Sequence, residues 1–124
     1  MEKFCVVVAG GRDFDNCSHY KLLKKTLDFM LMKVQQEKEV IIISGCAMGA
    51  DSLGEEYARE RGFTCRAFPA NWTRYGKGAG HRRNAEMCSA CDAVIAFWDG
   101  KSKGTAGMIA LAKKHDKLLK VVRY

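Results

Sequence analysis

The sequence predicts an α/β fold: a single Rossmann-like, three-layer α/β/α domain over residues 1–124, with a five-stranded, mainly parallel sheet. Three observations predict it. Short β-branched runs alternate with helical patterns along the whole chain, in the order β-α-β-α-β-α-β-α-β. These runs are continuously apolar, as strands covered on both faces are, rather than alternating like half-exposed strands. With 124 residues, 48% hydrophobic and 28% charged, the chain has the length of one domain and the composition of a globular one.

The first strand is Phe4 to Ala9, closed by the turn Gly10-Gly11. From about Asn16 to Gln36, Leu23, Leu27, Met30, Leu31 and Val34 mark one helical face, with Asp15 or Asn16 as the N-cap. Val40 to Ile43 is the second strand. Asp51 to Arg61 reads as a helix stopped by Gly62. Thr64 to Phe68 is the third strand, and Pro69 at its end costs little there. A glycine-bearing loop runs from Pro69 to Gly80, then a helix from about His81 to Ala90, and a fourth strand from Ala93 to Phe97. After the loop Gly100 to Gly104, a helix over about Thr105 to His115 leads into the last strand, Leu118 to Val122.

Right-handed crossovers make 3-2-1-4-5 the expected strand order, with the sheet changing direction between strands one and four. Ligands bind beyond the carboxyl ends of the strands at such a switch point. The loops expected there, Gly10 to Phe14 and Gly100 to Thr105 with Ser44 to Asp51 beside them, are also the most glycine-rich in the chain. In the Ser44–Asp51 loop, Ser44, Gly45 and Gly49 let backbone approach a phosphate at a helix N-terminus. The same residues also suit a plain turn in which Ser44 and Asp51 cap the helix; Asp51 is read either as that cap or as a ligand contact that accepts from a ribose hydroxyl. Gly104 and Thr105 form a second candidate anion cradle, with Lys101 and Lys103 nearby. Gly10 and Gly11 begin a third, where Arg12 is placed to clamp a phosphate and Asp13 to accept from a ribose hydroxyl, unless Arg12 simply pairs with a carboxylate. Arg82, Arg83 and Asn84 open another helix and are candidate phosphate contacts. Trp72 and Tyr75 are candidates for base stacking or for packing of their loop.

Several classes are disfavoured. The spacing Gly100-Lys-Ser-Lys-Gly-Thr105 is out of register with a nucleoside-triphosphate P-loop, and Gly10-Gly-Arg-Asp-Phe14 is too short for the dinucleotide fingerprint. No protein-bound metal, no cofactor and no Ser-His-Asp triad is expected. The six cysteines are read as reduced thiols, Cys88-x-x-Cys91 included, because no second pair accompanies them. No apolar run approaches the ~20 residues of a membrane span, and the start of the chain does not read as a signal peptide, so a cytoplasmic location without membrane partners is expected. Lys and Arg number 21 against 14 Asp and Glu, a net charge of +7 that suits anionic partners.

The motifs Gly10-Gly-Arg-Asp-Phe14, Ser44-Gly-x-Ala-x-Gly-Ala-Asp51, Pro69-Ala-x-Trp72 with Tyr75-Gly-Lys77, Ala79-Gly-x-x-Arg-Asn84, and Ala96-Phe-Trp-Asp-Gly100 with Ser102-x-Gly-Thr105 together resemble the YspA branch of the SLOG superfamily. The resemblance implies a Rossmannoid sheet, a nucleotide or nucleotide-derived ligand at the glycine-rich edge, and homodimerisation through helix faces. Two relatives differ in what they imply. The lonely-guy phosphoribohydrolases carry P-G-G-x-G-T-x-x-E; Gly104-Thr105 is similar to their phosphate step, but Met108 stands where their glutamate would. A thioether is no acid or base, which disfavours N-glycosidic hydrolysis by that route unless Asp51, Asp99 or Glu86 substitutes. DNA-processing protein A carries S-G-x-A-x-G-I-D, close to Ser44–Asp51, which makes single-stranded nucleic acid the alternative partner.

Overall fold

The computed structural model describes residues 1–124. Five strands, β1 (Lys3–Gly10), β2 (Glu39–Ser44), β3 (Thr64–Ala67), β4 (Ala93–Trp98) and β5 (Leu118–Arg123), form one sheet in the order β3-β2-β1-β4-β5. Every neighbouring pair is parallel, so the chain crosses over between consecutive strands through a helix. The helices are α1 (Cys17–Leu31), α2 (Val34–Glu37), α3 (Ala50–Arg61), α4 (Trp72–Tyr75), α5 (Ala79–Ala90) and α6 (Lys103–Lys114). The Rossmann-like class and the strand order agree with the sequence.

β1 explains the layers. Its side chains alternate across the sheet, so Val6 and Val8 enter a core with Leu23, Leu27 and Leu31 of α1 and Leu53 and Tyr57 of α3. Val7 and Ala9 enter the opposite core with Met87 and Cys88 of α5 and Met108 and Ala112 of α6. Two helices on each face bury both sides of β1, β2 and β4, hence their unbroken apolar runs.

Local signals terminate the helices. Asn16 accepts the His19 N–H at 2.8 Å, and His19 Nδ1 in turn lies 3.4 Å from the Asn16 N–H, a reciprocal cap on α1. Gly62 ends α3 in the left-handed conformation at φ 73°. Three stretches differ from expectation, the first being α6, which starts two residues early at Lys103 and so takes in Gly104. The helix over residues 16–36 is broken into α1 and α2 at Met32 and Lys33, although both keep right-handed helical dihedrals. Within the loop expected from Pro69 to Gly80, Asn71 accepts the Arg74 N–H at 3.0 Å and nucleates α4. A 3₁₀ turn over Gly76–Gly78 then starts α5 two residues early, at Ala79. All six cysteines are unpaired. No helix is long and apolar enough to cross a membrane.

Candidate functional site

A cleft of about 480 Å³ opens at the carboxyl ends of β1 and β4, where the strand order reverses. Three connections and the start of α5 build it. The β1–α1 turn contributes Gly10, Gly11, Arg12 and Asp13. Gly10 is there because a Cβ would lie 2.6 Å from that of Ala50 and 2.7 Å from the Phe97 carbonyl, so the close approach of α3 to the sheet requires its absence. Phe14 anchors the turn from beneath, fully buried and stacked on His19 and Phe97 with centroids 4.6 and 4.7 Å away. Tyr124, at the far end of the chain, packs edge-on against Phe14, and its hydroxyl donates to Asp13 Oδ1 at 2.5 Å. Burial and the Asp13 carboxylate push the Tyr124 phenol well above the usual tyrosine range. Arg12 has no carboxylate within ion-pair distance, so it is not the loop-to-loop pair that was one reading of it.

The β4–α6 connection contributes Asp99, Ser102, Gly104 and Thr105. Asp99 Oδ1 accepts the N–H groups of Lys101 and Ser102, each at 2.8 Å, and these bonds hold its carboxyl below the usual range. Ser102 is the N-cap of α6; its hydroxyl lies 3.4 Å from the Thr105 N–H and 3.1 Å from the Thr105 hydroxyl. The first turn of α6 therefore faces the cleft, bringing the positive end of the helix dipole with it.

From the third connection, β2–α3, come Ala47, Met48 and Asp51. Asp51 is only 8% exposed, and its Oδ2 accepts the Ala47 N–H at 3.1 Å. Burial pushes its pKa up to about 6, against the opposing pull of that amide and of Arg83. From α5, Arg83 and Asn84 reach the cleft. Arg83 donates to the Asn84 side chain at 2.9 Å and to the Gly45 carbonyl, so one guanidinium joins α5 to the β2–α3 connection. Ala9, Met87 and Met108 form an apolar floor.

The cleft thus brings together Gly10, Gly11, Arg12, Asp13, Asp51, Arg83, Asn84, Gly104 and Thr105. Ser44, Gly45 and Gly49 stand behind it. Ser44 is 1% exposed and donates to Glu55 at 2.5 Å while accepting the Cys46 N–H at 3.1 Å. Gly49 adopts φ 81° against the backbone of Gly11 and Arg12, and no side chain caps α3. Of the two capping roles open to this loop, then, neither Ser44 nor Asp51 takes one. Arg82, Trp72 and Tyr75 lie outside the cleft. The Arg82 guanidinium stands 4.1 Å over the Tyr75 ring and that of Arg74 stands 5.2 Å over it, while Trp72 is 55% exposed. Sequence reasoning missed Ser102, Met48 and Met87 as lining residues and considered Asp99 only as a stand-in for glutamate. The cluster Asp99-Gly-Lys-Ser102 before a helical stretch is a capping signal that marks the first of these. Met108, at the position of that glutamate, is buried in the floor, so no carboxylate reaches the cleft from there.

These features define a Rossmann-like α/β protein with a glycine-edged cleft at the switch point of its sheet. The chain belongs to the YspA, cpYpsA-related SLOG family, whose model matches residues 4–75. No curated protein matches the sequence. Among solved structures, the chain is similar to DNA processing protein A from Helicobacter pylori, described for its single-stranded DNA binding mode, at 24% identity and a TM-score of 0.68 over 95% of this chain and 64% of that one. It is likewise similar to DNA processing protein A from Streptococcus pneumoniae, at 17% identity and a TM-score of 0.73 over 97% of this chain. The chain spans 64% and 50% of the lengths of these two proteins, and at such identities the likeness is one of fold.

Proposed function

We propose that the cleft binds a small phosphate-bearing ligand derived from a nucleotide. The observation that carries this reading is the first turn of α6 facing a cleft of about 480 Å³, flanked by Arg12 and Arg83. A helix N-terminus concentrates about half a positive charge on N–H groups aimed at the ligand, and guanidiniums add forked donors. The volume falls within the roughly 300–1,000 Å³ of small-ligand sites. The apolar floor of Ala9, Met87 and Met108 offers a surface for a flat ring.

Thermal unfolding with nucleoside mono- and diphosphates, ADP-ribose, NAD and ribose 5-phosphate tests this. A ligand that binds only the folded state adds about 2.7 kcal/mol at 100 times its dissociation constant. The double variant Gly104→Asp, Thr105→Ala is expected to lose that shift while remaining folded, since a side chain at Gly104 meets nothing within 4 Å. An unchanged shift in the variant overturns the reading.

A second reading, single-stranded nucleic acid, is favoured by the exposed Trp72 beside Arg74, Lys77 and Arg82, next to the cleft, and by the single-stranded DNA binding described for the Helicobacter pylori neighbour. Salt separates the two. A single strand held by about four to six phosphates loses roughly 50- to 300-fold in affinity between 50 and 200 mM salt, whereas one nucleotide loses no more than about tenfold.

A further inference from the structure

Of the three histidines, His81 and His115 are exposed, whereas His19 is half-buried in an aromatic stack. Its ring lies 4.6 Å from that of Phe14 at an interplanar angle of 11°, and 5.2 Å from that of Tyr124 at 63°. Held there, its Nδ1 meets the chain entering α1, 3.0 Å from the Asp15 nitrogen and 3.4 Å from the Asn16 nitrogen. Both are N–H donors, so Nδ1 accepts, and the imidazole is neutral with its proton on Nε2. The residue that reaches back to the N-cap amide in a reciprocal cap is ordinarily a glutamate or glutamine, which stays an acceptor at physiological pH. Histidine does not: a second proton turns Nδ1 into a donor facing two donors.

The groups around the ring are defined. Phe14 and, behind it, Phe97 of β4 carry no charge. From β5, the Tyr124 hydroxyl donates to Asp13, and Asp13, Asp15 and Asp99 all act on that phenol. None of these three carboxylates pairs with a basic side chain, so they face any positive charge formed on the ring. Arg123 of β5 turns instead to the Trp98 ring, and Tyr20 beside His19 donates to Glu60. The first turn of α1 carries no acidic residue, and its dipole opposes a cation.

We infer that His19 is a proton-operated latch on the β1–α1 turn. Neutral, it closes the cap on α1 and props Phe14; on taking a proton from solvent, it repels the Asp15 and Asn16 amides and releases the turn. That turn carries Gly11, Arg12 and Asp13 into the cleft, so release frees one wall of the cleft whatever the cleft binds. The inference therefore stands apart from the phosphate-binding reading.

NMR of the wild type and of His19→Gln between pH 5 and 8, the range in which histidine ordinarily titrates, provides the test. Glutamine keeps an acceptor at the third position of α1 and does not titrate. In the wild type at pH 8, two-bond ¹H–¹⁵N correlations are expected to show the Nε2–H tautomer. As the ring is protonated, the protection factors of the Asp15 and Asn16 amides are expected to fall about tenfold, the scale of one hydrogen bond to a charged group, while those of β2 hold. In His19→Gln they are expected to stay within about twofold throughout. The wild type alone also decides, because the loss of protection must follow the titration of the His19 Cε1–H resonance. An Nδ1–H tautomer at pH 8, a ring that takes up no proton above pH 5, protection that holds while the ring titrates, or the same pH profile in both proteins overturns the inference.

Discussion

Two glycine-rich connections in this protein look alike in sequence, and the structure packs them differently. In the β2–α3 connection the polar groups turn inward: Ser44 to Glu55, Asp51 to the Ala47 amide, and the Gly45 carbonyl to Arg83. Even the Ala50 N–H at the start of α3 is taken, at 3.2 Å, by the Gly11 carbonyl. In the β4–α6 connection Asp99 organises the turn, and Gly104 faces open space at the cleft. The difference comes from position in the sheet. The first connection has the β1–α1 turn and α5 pressed on it and reaches the cleft only through Ala47, Met48 and Asp51, whereas the second opens onto the cleft with the first turn of α6. A glycine-rich strand-to-helix loop has room for a ligand only where the sheet leaves space beside it.

The sharpest way to break this contrast is alanine at Gly49. Its φ of 81° and the backbone of Gly11 and Arg12 where a Cβ would stand make Gly49→Ala cost at least about 2 kcal/mol, read from urea unfolding. A cost no greater than that of the same change at Gly104 would sink the distinction. Next comes pH. Because the folded pKa of Asp51 is raised from 3.8 to about 6, its contribution to stability is full below pH 4 and is lost as pH rises through 6. Asp51→Asn removes that dependence, so its stability is expected to change less than the wild type's between pH 4 and 7, by about 2 kcal/mol. A wild-type curve unaltered by the substitution contradicts the burial argument. Tyr124→Phe releases Asp13 and is expected to cost about 1 kcal/mol in stability, with a matching loss of order in the β1–α1 turn by amide exchange. Smallest is Gly104→Ala: within about 0.5 kcal/mol of wild type, on the stabilising side, since the position is helical and unobstructed.

The fold was legible because its signals are local. Val6 to Ala9, Val40 to Ile43 and Ala93 to Phe97 announce buried strands by composition, Asn16 and Gly62 mark helix ends, and the crossover rule supplies the strand order. Much of the cleft was legible for the same reason, as glycines and arginines cluster at strand ends. What escaped is non-local. Tyr124 meets Asp13 across 111 positions, and Glu55 meets Ser44 across a helix turn and a loop, contacts that leave no periodicity to read. The inward role of Gly45 and Gly49 escaped likewise, because it depends on Arg83 and on the β1–α1 turn rather than on their own neighbours in sequence.

The central claim is that the open connection, and not the closed one or the Trp72 surface, receives a nucleotide phosphate. Amide chemical-shift mapping with ¹⁵N-labelled protein and a ribonucleoside 5′-monophosphate at moderate salt tests it residue by residue. The account predicts the largest, saturable shifts at Lys103, Gly104 and Thr105, with smaller ones at Gly11 and Arg12. Shifts confined to Trp72 through Arg82, or no saturable shift at the start of α6, would contradict it.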